Sequence, residues 1–148
     1  MKKIFVFLLF TFYFSFSAMA CTMTTAQDGV KLFKTPSIEA EILFDYPENF
    51  PLKIISESNG WFQVADWMQL KGWVIGWQLK AGEKSCVVYR HKVNFRSGPG
   101  RNYSVLGKLT KGNVLLILKK NQYWVRGKLV DPNTGQVGWV HRQMLWGD

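Results

Sequence analysis

Hydrophobic residues after position 20 occur in short alternating runs that glycine, proline, asparagine and aspartate interrupt. Alternation with a period of two residues is typical of β-strands that bury one face. No segment beyond position 20 keeps a helical period of apolar residues over three turns. The pattern therefore predicts an all-β protein, with strands at 29–34, 52–56, 61–66, 71–75, 92–96, 114–118, 123–129 and 136–140, and a short helical turn or strand at 143–145.

The same pattern occurs twice. Residues of the first half recur 63 positions later, and after a three-residue insertion the offset becomes 66, so that Gly72-Trp73-Val74 returns as Gly138-Trp139-Val140. Two copies of one small unit are predicted, at 21–80 and 86–148. The polar linker between them, Lys80 to Ser85, is short enough that the units should touch.

The N-terminus carries a basic start, an apolar run from Ile4 to Phe16 and an Ala-x-Ala end. This combination predicts a secretory signal peptide at 1–20, and an uncleaved membrane anchor is the alternative. An exported protein is therefore expected, in a periplasm or outside the cell.

The cysteines are Cys21 and Cys86, each just ahead of the first predicted strand of its unit. In an oxidising compartment they are candidates for a disulfide. Lipidation of Cys21 is the alternative, and it excludes the disulfide because it would use the same sulfur atom. We expect contact with a membrane only if Cys21 is lipidated. Two cysteines and two histidines are too few and too scattered to predict a metal site.

The formal net charge of +9 favours an anionic partner, although solubility alone could account for it. The lysines and arginines form no dense cluster. Export together with this spread argues against nucleic acid as a partner.

Several motifs resemble the bacterial SH3-like (SH3b) family. They are Val93-Asn94-Phe95-Arg96-Ser97-Gly98-Pro99-Gly100, Tyr123-Trp124-Val125 and the closing Gly138-Trp139-Val140. The first unit keeps the second half of the pattern, but Phe33-Lys34-Thr35 replaces Arg-Ser-Gly in its opening. The resemblance covers residues 21–148 and implies two small SH3-like half-open β-barrels in tandem. It also implies a non-catalytic module that binds cell-wall peptides or proteins.

All seven tryptophans lie beyond position 20, too many for two small barrels to bury. Trp73 and Trp139 belong to the repeated motif and are predicted to be core residues. Trp67 and Trp77 have no aromatic equivalent in the second unit, which favours an exposed patch or the interface between the units.

Aromatic grooves with nearby charge hold extended peptides on SH3-type surfaces. Asp66 could hold an amine of a wall peptide, or be a solvated turn residue. Arg96 could pair with a carboxylate, or tie down its own loop. The candidate ligand-binding residues are Trp61, Asp66, Trp67, Tyr103, Trp124 and Arg126.

Motifs of hydrolases and phosphate loops are missing from the sequence, and Cys86 with His91 is weak support for a thiol enzyme. We therefore expect no enzyme activity and no cofactor. The expected function is recognition of peptidoglycan peptides or an envelope protein. The alternative is a scaffold that acts by protein–protein contacts within an envelope complex.

Overall fold

Two antiparallel sheets of seven strands form the structure, a computed structural model that describes residues 21–131 and 133–148. The predicted signal peptide at 1–20 lies outside the described residues. The all-β expectation is confirmed. The described part contains only two helical turns, at Gly76–Gln78 and Arg142–Met144, and neither has the length or apolarity of a membrane-spanning helix.

The first sheet consists of β1 (Thr22–Thr25), β2 (Val30–Phe33), β3 (Ile42–Tyr46), β4 (Pro51–Ser58), β5 (Trp61–Ala65), β6 (Lys71–Ile75) and β7 (Leu79–Lys80). The second consists of β8 (Ser85–Val88), β9 (Val93–Arg96), β10 (Val105–Leu109), β11 (Val114–Lys120), β12 (Trp124–Leu129), β13 (Val137–His141) and β14 (Leu145–Trp146).

The strand order is the same in both sheets. It runs β3-β2-β6-β5-β4-β1-β7 in the first and β10-β9-β13-β12-β11-β8-β14 in the second. Within the described residues the terminal strands of each sheet do not pair with one another, so both sheets remain open, as the half-open form requires. The repeat in the sequence is therefore a repeat of topology.

Strand β8 is buried on both faces. Cys86 and Val88 pack into the core of the second sheet, whereas Val87 between them packs into the core of the first. Val114 on the neighbouring strand β11 also joins the first core, and Leu115 joins the second. The two units therefore share a wall instead of being joined only by the linker.

The predicted strands match β2, β4, β5, β6, β9, β11, β12 and β13 within a few residues, and 143–145 falls on the last helical turn and β14. Strand β8 was missed because burial of both its faces removes the alternation, and Ser85 was placed in the linker. Strand β3 was missed because it exposes the apolar residues Ile42 and Phe44.

Truncation of the shared wall should destabilise the protein. Val87 is completely buried, and we expect Val87→Ala to lower the free energy of unfolding by about 2 kcal/mol. Val105→Ala is the matched control, because Val105 is 46% exposed and its truncation should change the value little. Urea unfolding followed by tryptophan fluorescence measures both, and equal stability of the two variants would contradict the shared wall.

Candidate functional site

Each sheet has an outer face built around two tryptophans. On β12 and β13 the buried residues Val125, Gly127, Gly138 and Val140 point inward, so that the residues between them point outward. Trp139 is therefore on the outer face and only partly buried, and Trp73 on β6 is in the same position. The prediction that these two tryptophans are core residues is wrong, because the inward positions beside them are filled by glycine and valine.

The outer faces of the two sheets differ in charge. Trp139 pairs with Arg96 on β9 and with Arg126 on β12, and Trp124 pairs with His141, so these side chains share one face. The equivalent residues of the first sheet make the same pairs around Trp73 and Trp61. There, the positions of the two arginines and the histidine are occupied by Phe33, Gln63 and Ile75.

A cavity of about 280 Å³ opens at one end of the second outer face. We call it the aromatic–basic cavity. It is lined by His91, Lys92, Val93, Asn94, Arg96, Arg101, Trp124, His141, Gln143 and Met144. Its described lining contains one indole, two imidazoles, two guanidinium groups and one lysine, and no carboxylate.

Trp124 forms one wall of this cavity. Its ring meets the His141 imidazole edge-on, with the centroids 5.1 Å apart and the planes at 80°. The pairing of β12 with β13 fixes this contact, since the two residues stand opposite one another in the register. Trp124 therefore offers a flat apolar surface next to polar groups.

Arg96 ties down its own loop, which was one of its two expected roles. Its Nη1 donates to the carbonyl oxygen of Tyr103 at 2.9 Å and to that of Arg101 at 3.1 Å. The loop between β9 and β10 is thereby held against the sheet. Arg96 also lines the aromatic–basic cavity, so that the loop role and contact with a ligand are compatible.

Tyr103 and Arg126 lie outside the lining of the cavity. The Tyr103 ring packs on Gly98 so closely that a methyl group there would overlap it, so the glycine is required by the ring. Arg126 is exposed on the outer face, two residues from Trp124. The structure therefore brings Trp124 and Arg126 to one face, and it makes Tyr103 part of the loop.

On the first sheet, the place of Arg96 is taken by Phe33. Its ring packs edge-on against Trp61, with the centroids 5.5 Å apart and the planes at 88°. Phe33 is only 6% exposed, so the ring fills the space beside Trp61. Trp61 is therefore half-buried, and its surroundings are apolar.

Trp67 lies at the junction of the two units. It packs against the core of the first sheet, and the Lys111 ammonium of the second unit stands 5.0 Å above its ring. A cation over an aromatic face is attracted by the ring quadrupole. Trp67 and Trp77 were each expected either at the interface between the units or in an exposed patch. Trp67 lies at the interface, whereas Trp77 lies on the surface and is 70% exposed.

Asp66 is fully buried, so that it is neither an exposed ligand group nor a solvated turn residue. The backbone amides of Met68 and Leu70 donate to its Oδ1 at 2.8 and 2.9 Å, and the Tyr46 hydroxyl donates to its Oδ2 at 3.1 Å. Burial raises the pKa of Tyr46, and the Asp66 carboxylate raises it further through its charge and the hydrogen bond, so the hydroxyl stays a donor. The predicted contact of Asp66 with an amine is wrong because these donors satisfy it.

The predicted disulfide between Cys21 and Cys86 does not form in the structure. Both cysteines are free; Cys21 is exposed, whereas Cys86 points into the second core and directs its thiol at the carbonyl oxygen of Leu115, 3.8 Å away. Burial raises the pKa of the Cys86 thiol, and the charge of Asp148 raises it further. Cys86 is therefore a core residue. The sequence did not indicate this because strand β8, to which Cys86 belongs, was not predicted.

Four cavity residues escaped the sequence interpretation: Lys92, Arg101, His141 and Gln143. The repeat contained a signal for three of them. Arg101, His141 and Gln143 stand where the first unit has the apolar residues Ile38, Ile75 and Trp77. In the described part of the chain, histidine, cysteine and acidic side chains form no group of three that could hold a metal ion.

Comparison with known proteins identifies the second unit. Residues 90–147 match the family model of the bacterial SH3 domain, which confirms the expected family there. The chain is 25% identical over 133 residues to the Bacillus subtilis (strain 168) protein "Putative N-acetylmuramoyl-L-alanine amidase YrvJ". This match covers 83% of the chain but only 26% of that protein, so the chain spans about a quarter of its relative's length.

Two solved structures from Trichomonas vaginalis, of NlpC2 and NlpC1, are also similar. Their identities are 17% and 16%, and both matches have a TM-score of 0.38. Each covers 87% of this chain, and 48% and 46% of the respective other chain.

Removal of the Asp66 carboxylate should destabilise the first unit. We expect Asp66→Ala to lower the free energy of unfolding by about 3 kcal/mol, because it leaves one buried and two partly buried donors without their acceptor. Asp45→Ala is the control, since Asp45 is exposed and its ion pair with Lys31 contributes little. Chemical denaturation compares the two, and a stable Asp66→Ala variant would show that the buried carboxylate is dispensable.

The two thiols should differ in reactivity. At about pH 8, a thiol reagent should label Cys21 in the native protein and Cys86 only after unfolding, because only an exposed thiolate reacts readily. Mass spectrometry of labelled residues 21–148, kept free of reductant, counts the adducts. If neither thiol of the native protein reacts, and both react after a reductant is added, the two cysteines form the disulfide instead.

Proposed function

We propose, from the membership of residues 90–147 in the bacterial SH3 domain family, that this protein is a cell-wall-associated binding module. The observation that carries the proposal is the aromatic–basic cavity, in which the Trp124 wall adjoins several groups able to donate hydrogen bonds. Ligand sites of this kind combine apolar surface with a few polar groups that fix orientation. An extended peptide would place a side chain or terminus in the cavity and run along the outer face.

The proposed ligand is a peptide of peptidoglycan. N-acetylmuramoyl-L-alanine, which appears in the name of the Bacillus subtilis relative, is a unit of that polymer. The part of the relative matched by this chain is about a quarter of its length, which is consistent with a recognition module carried beside other parts. The net positive charge of the chain also suits an anionic wall polymer.

We further propose that the protein binds without catalysing a reaction. Two histidines line the aromatic–basic cavity, but its described lining supplies no serine, cysteine or carboxylate to act as a nucleophile or as their acid–base partner. The buried Cys86 is not available for the thiol chemistry that was considered with His91. Binding, rather than turnover, is the role that these groups support.

Export is part of the same proposal. The signal peptide expected at 1–20 would deliver the module to the wall, either in a periplasm or outside the cell. Cys21 is exposed and would stand first after cleavage, so lipid attachment at this sulfur remains the competing outcome. It would anchor the module at a membrane beside its wall ligand.

A scaffold role is the second candidate, and the first unit supports it. Trp77 and Ile38 are 70% and 71% exposed, and they occupy the positions that Gln143 and Arg101 hold in the lining of the second unit's cavity. Exposed apolar side chains that group into one patch mark sites of protein–protein contact. The interface between the units, where Trp67 lies, is occupied within the chain itself. A protein partner would therefore dock on the outer face of the first sheet.

Co-sedimentation with purified peptidoglycan sacculi tests the proposed function. At about 0.5 M salt, where nonspecific attraction is screened, the wild-type chain 21–148 should be retained and Trp124→Ala should bind about tenfold more weakly, since the apolar wall is lost. Trp77→Ala is the matched control and should bind as the wild type does.

A second variant guards against misfolding of Trp124→Ala. Gln143 is exposed at the cavity, and Gln143→Trp would fill the space with the residue that the first unit carries there. It should also weaken retention on the sacculi. Unchanged binding of both variants would exclude the cavity, whereas no retention of the wild type would exclude peptidoglycan and favour the scaffold role.

A further inference from the structure

The two units have equivalent sites of different chemistry. Trp124 and Val93 of the aromatic–basic cavity correspond to Trp61 and Val30, so the wall and the base of the site are kept. All eight other lining positions differ between the first unit and the second: Asp28 to His91, Gly29 to Lys92, Lys31 to Asn94, Phe33 to Arg96, Ile38 to Arg101, Ile75 to His141, Trp77 to Gln143 and Gln78 to Met144.

The changes raise the positive charge of the site overall, although one of them, Lys31 to Asn94, removes a cation. The second site loses one aspartate, one lysine and several apolar groups, and it gains two arginines, one lysine and two histidines. Equal loop lengths between β2 and β3 and between β9 and β10, together with the same strand pairs, make these true positional equivalents.

The positive charge of the cavity is not neutralised within the described residues. In the first unit, Lys31 and Lys34 make ion pairs, with Asp45 at 3.5 Å and with Glu41 at 3.0 Å respectively. No carboxylate of the described chain lies within ion-pair distance of Arg96 or Arg101. Unpaired arginines beside one another favour an external anion.

Arg96 prepares the site for such an anion. Because its Nη1 bonds to the carbonyl oxygens of Arg101 and Tyr103, it fixes the backbone from which the Arg101 side chain extends into the cavity lining. The remaining N–H groups of Arg96 and the guanidinium of Arg101 are forks that match the two oxygens of a carboxylate. Trp124 lies beside them to receive the apolar part of the same ligand.

We infer that the aromatic–basic cavity binds a free carboxylate of an acidic peptide, and that the equivalent site on the first sheet does not. This assignment rests on the proposed function. Arg101 and Arg96 hold the carboxylate. His141 and Gln143 border it, and Trp124 packs on the adjoining apolar atoms. In the first unit, Phe33 fills the position of the anchoring arginine. One chain thus carries one acid-binding site and one apolar site.

The test combines a change in the ligand with a change in the protein. Sacculi are used untreated or with their carboxyl groups converted to amides, at about 0.5 M salt. Arg101→Ile and His141→Ile introduce the first unit's own residues at positions that the fold tolerates there. We expect Arg101→Ile to weaken retention on untreated sacculi about tenfold, and His141→Ile about threefold.

Amidation of the sacculi should weaken retention of the wild-type chain by the same factor as the Arg101→Ile substitution does on untreated sacculi. It should not weaken retention of the Arg101→Ile variant any further. Such coupling is expected when two changes remove one contact. Lys71→Gln is the charge-matched control, because Lys71 is exposed on the first sheet, away from the cavity. It should bind as the wild type does and remain sensitive to amidation.

The outcomes separate this inference from the proposed function. If Trp124→Ala abolishes binding but amidation and Arg101→Ile do not change it, the cavity is the site and the carboxylate is not its ligand group. If removal of wall phosphate by mild acid weakens binding while amidation does not, the anion is a phosphodiester and the inference is overturned. Equal amidation effects in Arg101→Ile and the wild type would also overturn it.

Discussion

Burial of β8 on both faces is the constraint on which the rest of the structure depends. Cys86 and Val88 complete the core of the second sheet, and Val87 completes that of the first. Units of about 60 residues bury little surface alone and are only marginally stable. A shared strand gives each unit apolar contacts that it could not form by itself, and it fixes the two outer faces relative to one another.

The inward residues of each sheet pack in the core, whereas the outward residues can differ between the units without loss of core packing. Valine and glycine occupy the inward positions of β6 and β13 in both units, whereas Ile75 and His141 differ between them. Chemistry can therefore diverge on one side of a strand without loss of the core on the other. This separation explains how two copies of one topology came to carry an apolar site and a basic one.

Much of the fold could be predicted from the sequence, because its longer strands alternate. Strand β6 was predicted with its bounds, but β8 was not, since burial of both faces depends on a partner distant in sequence. The candidate site was predicted less well. Of the candidate residues, Trp124 lines the cavity, whereas Asp66 proved to be a buried acceptor for Tyr46, a residue 20 positions away.

By itself, the sequence determined the all-β class, the repeat and the tryptophans, because alternation and spacing are local properties of the chain. The tertiary structure alone decided which residues share the cavity, as Arg101, Trp124 and His141 come from different elements. It also decided the burial of Asp66 and the separation of the two thiols. Strand register sets which side chains meet, and register depends on contacts between distant segments.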